Sequence, residues 1–429
     1  MLAFRKLGIP NLIGLTNTRL LQDGLFLGSQ DGRRWHEPAG ADQKKHTGSM
    51  VWAGPGITTL RILFVTDHIH FPQGGGGAER NTHELCVALQ DRGFHPAVIS
   101  SFAPDNSWLS WTNRLRRALP PRREFPRDSM CGYPVFRGWN MDRSGEVVHR
   151  FKPDVIVVQS THPDPILRAL RPHGIPFAVY LHEVGDIDHL ASLAGANVSL
   201  LANSNFAAGR LLEQCGLRCQ VVVPLIDPRY YVTQVRPERV LFVNTVPRKG
   251  LEIAFAIAER RPDVQFDFVL SWILKPDRVA ELAARARKAG NIVLHRPTGD
   301  MRSLYAKTRL LLVPSQWEET WGRIVTEAHI NGIPVLGSGT GELPQVIGPG
   351  GLTVAANAPI EDWLAAFGRL WDNPESYAEF ARAAREYSKR NEIQPSTIVA
   401  RLVEILQDTI ASGNRAGKAD GSPSDRGRR

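Results

Sequence analysis

Short apolar runs recur along this chain between helix-patterned segments, and a single turn-rich joint at 224–238 divides them into two series. The first series falls near 60–66, 95–101, 134–138, 154–159, 176–181, 198–202 and 220–224. The second falls near 239–244, 265–270, 291–295, 310–313, 334–336 and 352–354. Runs this short and this continuously apolar read as strands covered on both faces, which is the pattern of a parallel sheet with helices on either side. The expected fold class is therefore α/β, two doubly wound Rossmann-like domains facing across a cleft. The N-terminal domain is expected over 60–226 and the C-terminal domain, with its closing helices, over 238–411. Open parallel sheets take ligands at the carboxyl ends of their strands, so the ligand belongs between the two domains.

The chain has 429 residues, enough for two ordinary cores. Residues 1–59 carry no sustained period and are expected to be a poorly ordered extension, and 412–429 a disordered Gly/Ser/Arg tail. No seven-residue apolar core with a small-residue cleavage site follows the N-terminus, and no apolar run approaches a membrane span. Four scattered cysteines, Cys86, Cys131, Cys215 and Cys219, fit a reduced cytoplasmic setting and no zinc spacing. The net charge of +9 is concentrated at the two ends and in 107–127, where six arginines face one acid, Glu124. That is a local patch, not the continuous positive groove of a nucleic-acid binder.

The chemistry concentrates after the run at 310–313. Pro314-Ser315-Gln316-Trp317-Glu318-Glu319-Thr320-Trp321-Gly322 leads into a helix that opens near Gly322 and stops at Asn331-Gly332. A strand, a loop and a helix in that order leave unpaired amides at the helix start, which suits an anion. Glu319 lies on the loop and Glu327 inside the helix, so the two acids can hold opposite ends of one ligand. Arg248 and Lys249, just past the run at 239–244, place two cations at a helix head and suit a diphosphate. Gly74, Gly75, Gly76 and Gly77 form a loop whose amides can approach a phosphate or sugar. Glu79 stands where a dinucleotide fingerprint needs its third glycine, so a dinucleotide cofactor is not expected. His182, Glu183, Asp186 and His189 begin like a zinc helix motif, but the second histidine is replaced by Asp186. His182 is expected instead at a strand's carboxyl end, facing the cleft.

Taken together, Pro-Ser-x-x-Glu-Glu-Thr-Trp-Gly-x-x-x-x-Glu-Ala-x-x-x-Gly-Ile-Pro-Val, the Gly-Gly-Gly-Gly-Ala-Glu loop, the Asn203-Ser204-Asn205 cap and Lys249-Gly250 resemble the retaining glycosyltransferases of family four, which have the GT-B fold. The resemblance extends from Leu60 to about Asp408. It implies a nucleoside-diphosphate sugar, UDP- or GDP-linked, as donor, no metal or other cofactor, and a glycan or lipid-linked acceptor, as in cell-envelope polysaccharide synthesis. It also implies roles. Glu327 would hold the ribose, Glu319 and His182 would meet the transferred sugar, and Lys249 would neutralise the diphosphate with Arg248. Trp321, Gly322 and Arg323 would line the donor, and the glycine loop would cover the phosphates or the acceptor. Asn244 departs from the family, which often has an arginine there.

Two readings of 107–127 stay open, a solvated arginine-rich loop and a peripheral contact with the inner face of an anionic membrane through Trp108 and Trp111. A catalytically silent sugar-nucleotide-binding protein and a sugar-nucleotide epimerase are the rivals to a transferase on this fold.

Overall fold

In the computed structural model the described residues run from 59 to 419, leaving out 104–107, 121, 186, 195–197 and 272–273, with side chains described to 413. The expected extension lies outside them apart from residue 59, and so does the end of the expected tail, 420–429.

Both apolar series form sheets. The first contains β1 (Arg61–Ile69), β2 (His95–Ser101), β3 (Arg127–Asp128), β4 (Val135–Gly138), β5 (Val155–Val158), β6 (Phe177–Leu181), β7 (Ser199–Ala202) and β8 (Gln220–Val221). Their spatial order is β3-β4-β2-β1-β5-β6-β7-β8, parallel except for the two-residue edge strand β3. The second contains β9 (Arg239–Val243), β10 (Phe266–Val269), β11 (Ile292–His295), β12 (Thr308–Val313), β13 (Val335–Ser338) and β14 (Gly351–Val354), in the order β11-β10-β9-β12-β13-β14, all parallel. The central strands are mainly apolar because both faces of each sheet are covered. In the first sheet, Leu63, Val65 and Ile99 join one buried cluster, and Ile62, Phe64 and Val98 join the other.

Strand order reverses between β1 and β5 in the first sheet and between β9 and β12 in the second. These switch points leave crevices at the carboxyl ends of those strands. The sequence segments that leave β9 and β12, with Lys249 and Glu319, therefore meet although they are far apart along the chain.

The helix Gly77–Gln90 follows the glycine loop and buries Leu85, Ala88 and Leu89 against the first sheet, as its spacing predicts. It also buries Asn81, Thr82 and Glu84, which share that face by spacing although their residue types usually stay in water. The joint at 224–238 is not a free linker. Leu225 N–H donates to Asn81 Oδ1 (2.8 Å) and Asp227 N–H to Glu84 Oε2 (2.8 Å).

The terminal helix, Pro395–Ala419, continues past the expected start of the tail at 412. The sequence reading puts it with the second domain, yet its apolar face packs on the first. Ile398, Val399, Leu402 and Leu406 share a buried cluster with Ile62, Phe64, Leu85 and Val157. Leu402 is fully buried there, so Leu402→Ala should lower stability by about 2–5 kcal/mol in urea unfolding. A loss near zero would place this helix outside the first sheet's core.

Candidate functional site

The second sheet supplies one wall of the site at its switch point. After β9 the backbone bends at Asn244, whose φ of 75° is left-handed, a conformation asparagine tolerates better than most side chains. The chain then makes a short 3-10 turn, Pro247–Lys249, closed by Gly250 at φ 80°. A Cβ at Gly250 would lie 1.9 Å from the Pro314 carbonyl oxygen, so only glycine lets the β9 and β12 loops touch. Gln316 N–H donates to the Arg248 carbonyl across that contact (2.9 Å).

Lys249 Nζ is in direct contact with Glu319 Oε1, which also accepts from Ser315 Oγ (2.9 Å). Glu319 is braced from behind by the loop after β13. Its carbonyl accepts the Glu342 N–H (2.8 Å), and a Cβ on Gly341 would meet that oxygen at 2.2 Å. Arg248 is exposed, with its guanidinium 5.8 Å from the Trp317 ring centre. The helix Arg323–Ile330 starts after Gly322, itself at φ 80°, and buries Trp321 and Glu327. Glu327 accepts from Tyr305 O–H (2.8 Å) and lies 3.8 Å from Arg323 Nε.

His182 belongs to the facing wall, just beyond β6. Its ring lies against Tyr180 with centres 4.2 Å apart, and its Nε2 pairs with Gln159 Nε2 (3.1 Å). An amide nitrogen can only donate, so Nε2 is the acceptor and the imidazole is neutral. Burial, with Arg323 and His68 adding to it, lowers the His182 pKa to about 3.

The two walls are joined by hydrogen bonds that cross the cleft. Thr320 Oγ1 donates to the His182 carbonyl (2.7 Å) and accepts from Asn203 Nδ2 (2.9 Å). Arg80, on the glycine-loop helix, donates to the Gly299 carbonyl (2.7 Å). Glu342 accepts the Phe206 N–H (2.7 Å) at the start of the helix Asn205–Cys215. Arg323, expected along the donor, instead points into the first domain. It donates to Glu84 (2.8 Å), the Leu225 carbonyl (2.6 Å) and Tyr231 Oη (3.0 Å). The structure thus brings Lys249 and Glu319 together, puts Glu327 one helical turn below Arg323, and sets His182 opposite through Thr320. Gly77 lies close to Arg323, where a Cβ would contact its side chain at 3.6 Å.

Thr320, Glu84, Asn81 and Glu342 are the cleft residues that sequence reasoning missed. Each is an ordinary polar residue on a loop or helix, and only the apposition of the two sheets gives it a partner.

Two family models match the chain, Glycosyltransferase Family 4 over residues 75–230 and Glycosyl transferases group 1 over 234–387. The chain belongs to glycosyltransferase family 4. Among curated relatives, a D-inositol 3-phosphate glycosyltransferase of Paenarthrobacter aurescens is 25% identical over 44% of this chain and 53% of its own length. An MMP alpha-(1->4)-mannosyltransferase of Mycolicibacterium hassiacum is 26% identical over 39% of this chain and 41% of its own length. The matched region thus spans about half or less of those relatives. Among solved structures, a glycosyltransferase from Rickettsia africae superposes with a TM-score of 0.65 at 15% identity, covering 82% of this chain and 99% of that one. Anabaena HepE, crystallised with UDP, gives 0.65 at 18% identity over 81% and 100%. These likenesses show that the two-sheet architecture is the GT-B fold.

The family member's neutral His182 has a measurable signature. Its folded pKa lies below the ordinary histidine value of 6.5, so between 6.5 and about 3 the unfolded chain binds a proton there that the folded chain does not. Its influence is therefore absent above the ordinary value, and stability falls as pH drops through that window. His182→Gln should show a smaller loss of urea midpoint than the parent between about pH 7 and about pH 5. An equal loss in both proteins would mean that His182 titrates normally.

Proposed function

We propose that this chain transfers a glycosyl group from a nucleoside-diphosphate sugar, UDP- or GDP-linked, to a hydroxyl of an acceptor, with retention of anomeric configuration and without a metal. The observation that carries this reading is the contact of Lys249 with Glu319 at the β9/β12 switch point, opposite His182 at the end of β6. A cation and the start of a helix sit where a diphosphate would develop charge, and a carboxylate sits one residue before the threonine that reaches the other wall.

In the reaction the acceptor oxygen bonds to the anomeric carbon. The bond from that carbon to the β-phosphate oxygen breaks, its electron pair leaves with the nucleoside diphosphate, and the hydroxyl proton passes to the departing phosphate on the same face. Lys249, Arg248 and the first-turn amides after Trp321 and Gly322 stabilise the charge on phosphate. Glu319, released from Lys249 when the diphosphate takes that cation, turns to the sugar hydroxyls together with His182. Glu327 accepts from the ribose hydroxyls, and the loop Gly74, Gly75, Gly76 and Gly77 closes over the phosphates. The first domain holds the acceptor. Because Arg323 is engaged by Glu84, its role is to join the domains and not to touch the donor.

Purified protein should bind a UDP- or GDP-sugar in the presence of EDTA, and Lys249→Ala should weaken that binding by about 1.5–3 kcal/mol, the range for a hydrogen bond to a charged group. Unchanged affinity would remove Lys249 from the site. Release of nucleoside diphosphate only with acceptor present separates transfer from silent binding, and isomerised donor without acceptor would indicate an epimerase.

A specific surface favours a membrane-borne acceptor, glycan or lipid-linked, met at the cytoplasmic face during cell-envelope polysaccharide synthesis. On the helix Trp108–Ala118, Trp108 is 72% exposed, Trp111 53% and Leu115 41%, three apolar side chains at one helical face, and the two indoles stack at 5.4 Å. Arg114, Arg116 and Arg117 flank them. Among the described residues no helix is long and apolar enough to cross a membrane, so the contact would be peripheral. Sedimentation with anionic vesicles should fall at least several-fold in a Trp108→Ser, Trp111→Ser variant, and equal sedimentation of both proteins would make this face a solvated one.

A further inference from the structure

The first sheet has its own cavity at the β1/β5 switch point. Thr66, His68, His70, Glu79, Gln159, His182 and Glu183 line it, and it opens to solvent.

Its charge is one-sided. Glu79, in the first turn of the glycine-loop helix, and Glu183, next to His182, both belong to the lining. Burial holds the Glu79 carboxyl above the usual carboxylate range, against the pull of a backbone N–H and of His68, and the nearby Glu183 adds to the rise. Asp67 stands beside them at the end of β1, accepting from Ser160 Oγ (2.9 Å). Among the described residues that line the cavity there is no lysine or arginine. The cations nearest by position are occupied, Arg323 by Glu84 and Arg80 by the Gly299 carbonyl. His182 is neutral, for the reason given above.

A second feature points to a ligand. His70 is fully buried and lines the cavity, and its Nδ1 has no partner among the described residues, while Nε2 is paired with Tyr133 Oη (2.9 Å). Buried ring nitrogens are seldom left unpartnered unless something else arrives to pair with them.

We infer that this cavity receives the acceptor and selects a polyhydroxyl group bearing no anionic substituent, an uncharged or amino sugar in preference to a phosphorylated one. The inference rests on the glycosyltransferase reading above. Carboxylates are strong acceptors for sugar hydroxyls and ammonium groups in a partly dry site. A phosphate there would meet Glu79 and Glu183 with no cation to pair with, which is discrimination by repulsion.

The test compares matched probes by titration in the presence of saturating UDP or GDP: D-glucosamine and D-glucose against glucose 6-phosphate, and myo-inositol against its 3-phosphate. The parent protein should bind the unphosphorylated member of at least one pair at least tenfold more tightly than its phosphate. Glu79→Gln, Glu183→Gln should narrow that ratio at least fivefold by improving binding of the phosphate. Equal or tighter binding of the phosphates, no binding of any probe, or a ratio unmoved in the variant would each overturn the inference. Donor affinity is read in the same samples without probe. Failure of the donor to bind would sink the transferase reading, while the probe ratio reports on the cavity's charge by itself.

Discussion

Among the contacts that join the two sheets, one is a buried ion pair. Arg323, at the start of the signature helix, and Glu84, on the glycine-loop helix, are both almost wholly buried, and their guanidinium and carboxylate meet at 2.8 Å. Burying two charges is favourable only when their remaining hydrogen-bonding capacity is also met. Here Arg323 reaches the Leu225 carbonyl and Tyr231, and Glu84 takes the Asp227 N–H through its second oxygen. Burial alone would lower the Arg323 pKa, but Glu84, Tyr231 and Glu327 outweigh it and keep the guanidinium charged. The same contact pins the 224–238 joint, so the connection between the domains is part of the clamp.

The clamp explains how the donor wall is oriented. Arg323 is four residues from Glu327 and three from Thr320, and those two face opposite ends of the cleft. With Arg323 held by the first domain, Thr320 reaches the His182 carbonyl and Glu327 is left under Tyr305. The cleft floor is thus set by polar contacts, which can be exchanged for contacts with a ligand more readily than a packed apolar core could be. Lys249 and Glu319 illustrate this directly, since each is paired with the other.

The two walls have opposite electrostatic character. Lys249 and Arg248 stand at the second sheet's crevice, whereas Glu79 and Glu183 line the first sheet's. Asn244 fits the same division. The left-handed bend it makes after β9 brings the Arg248–Lys249 turn against Pro314, so the residue contributes geometry where charge would otherwise stand.

Much of this was legible in the chain alone. Short apolar runs determine parallel strands because a strand buried on both faces has no polar alternation to show. The β12-loop-helix order places a helix start after Gly322, and the glycines at 250 and 322 stand at left-handed bends that other residues would strain. What the sequence could not decide was which polar residues would be buried. Asn81, Glu84 and Arg323 are residue types that usually stay in water, and it is the packing of the joint and of the second domain against the first that gives them buried partners. The terminal helix shows the same limit. Its apolar stripe announces that it must pack somewhere, but burial is non-directional, and the choice of the first sheet over the second was made by the tertiary fold.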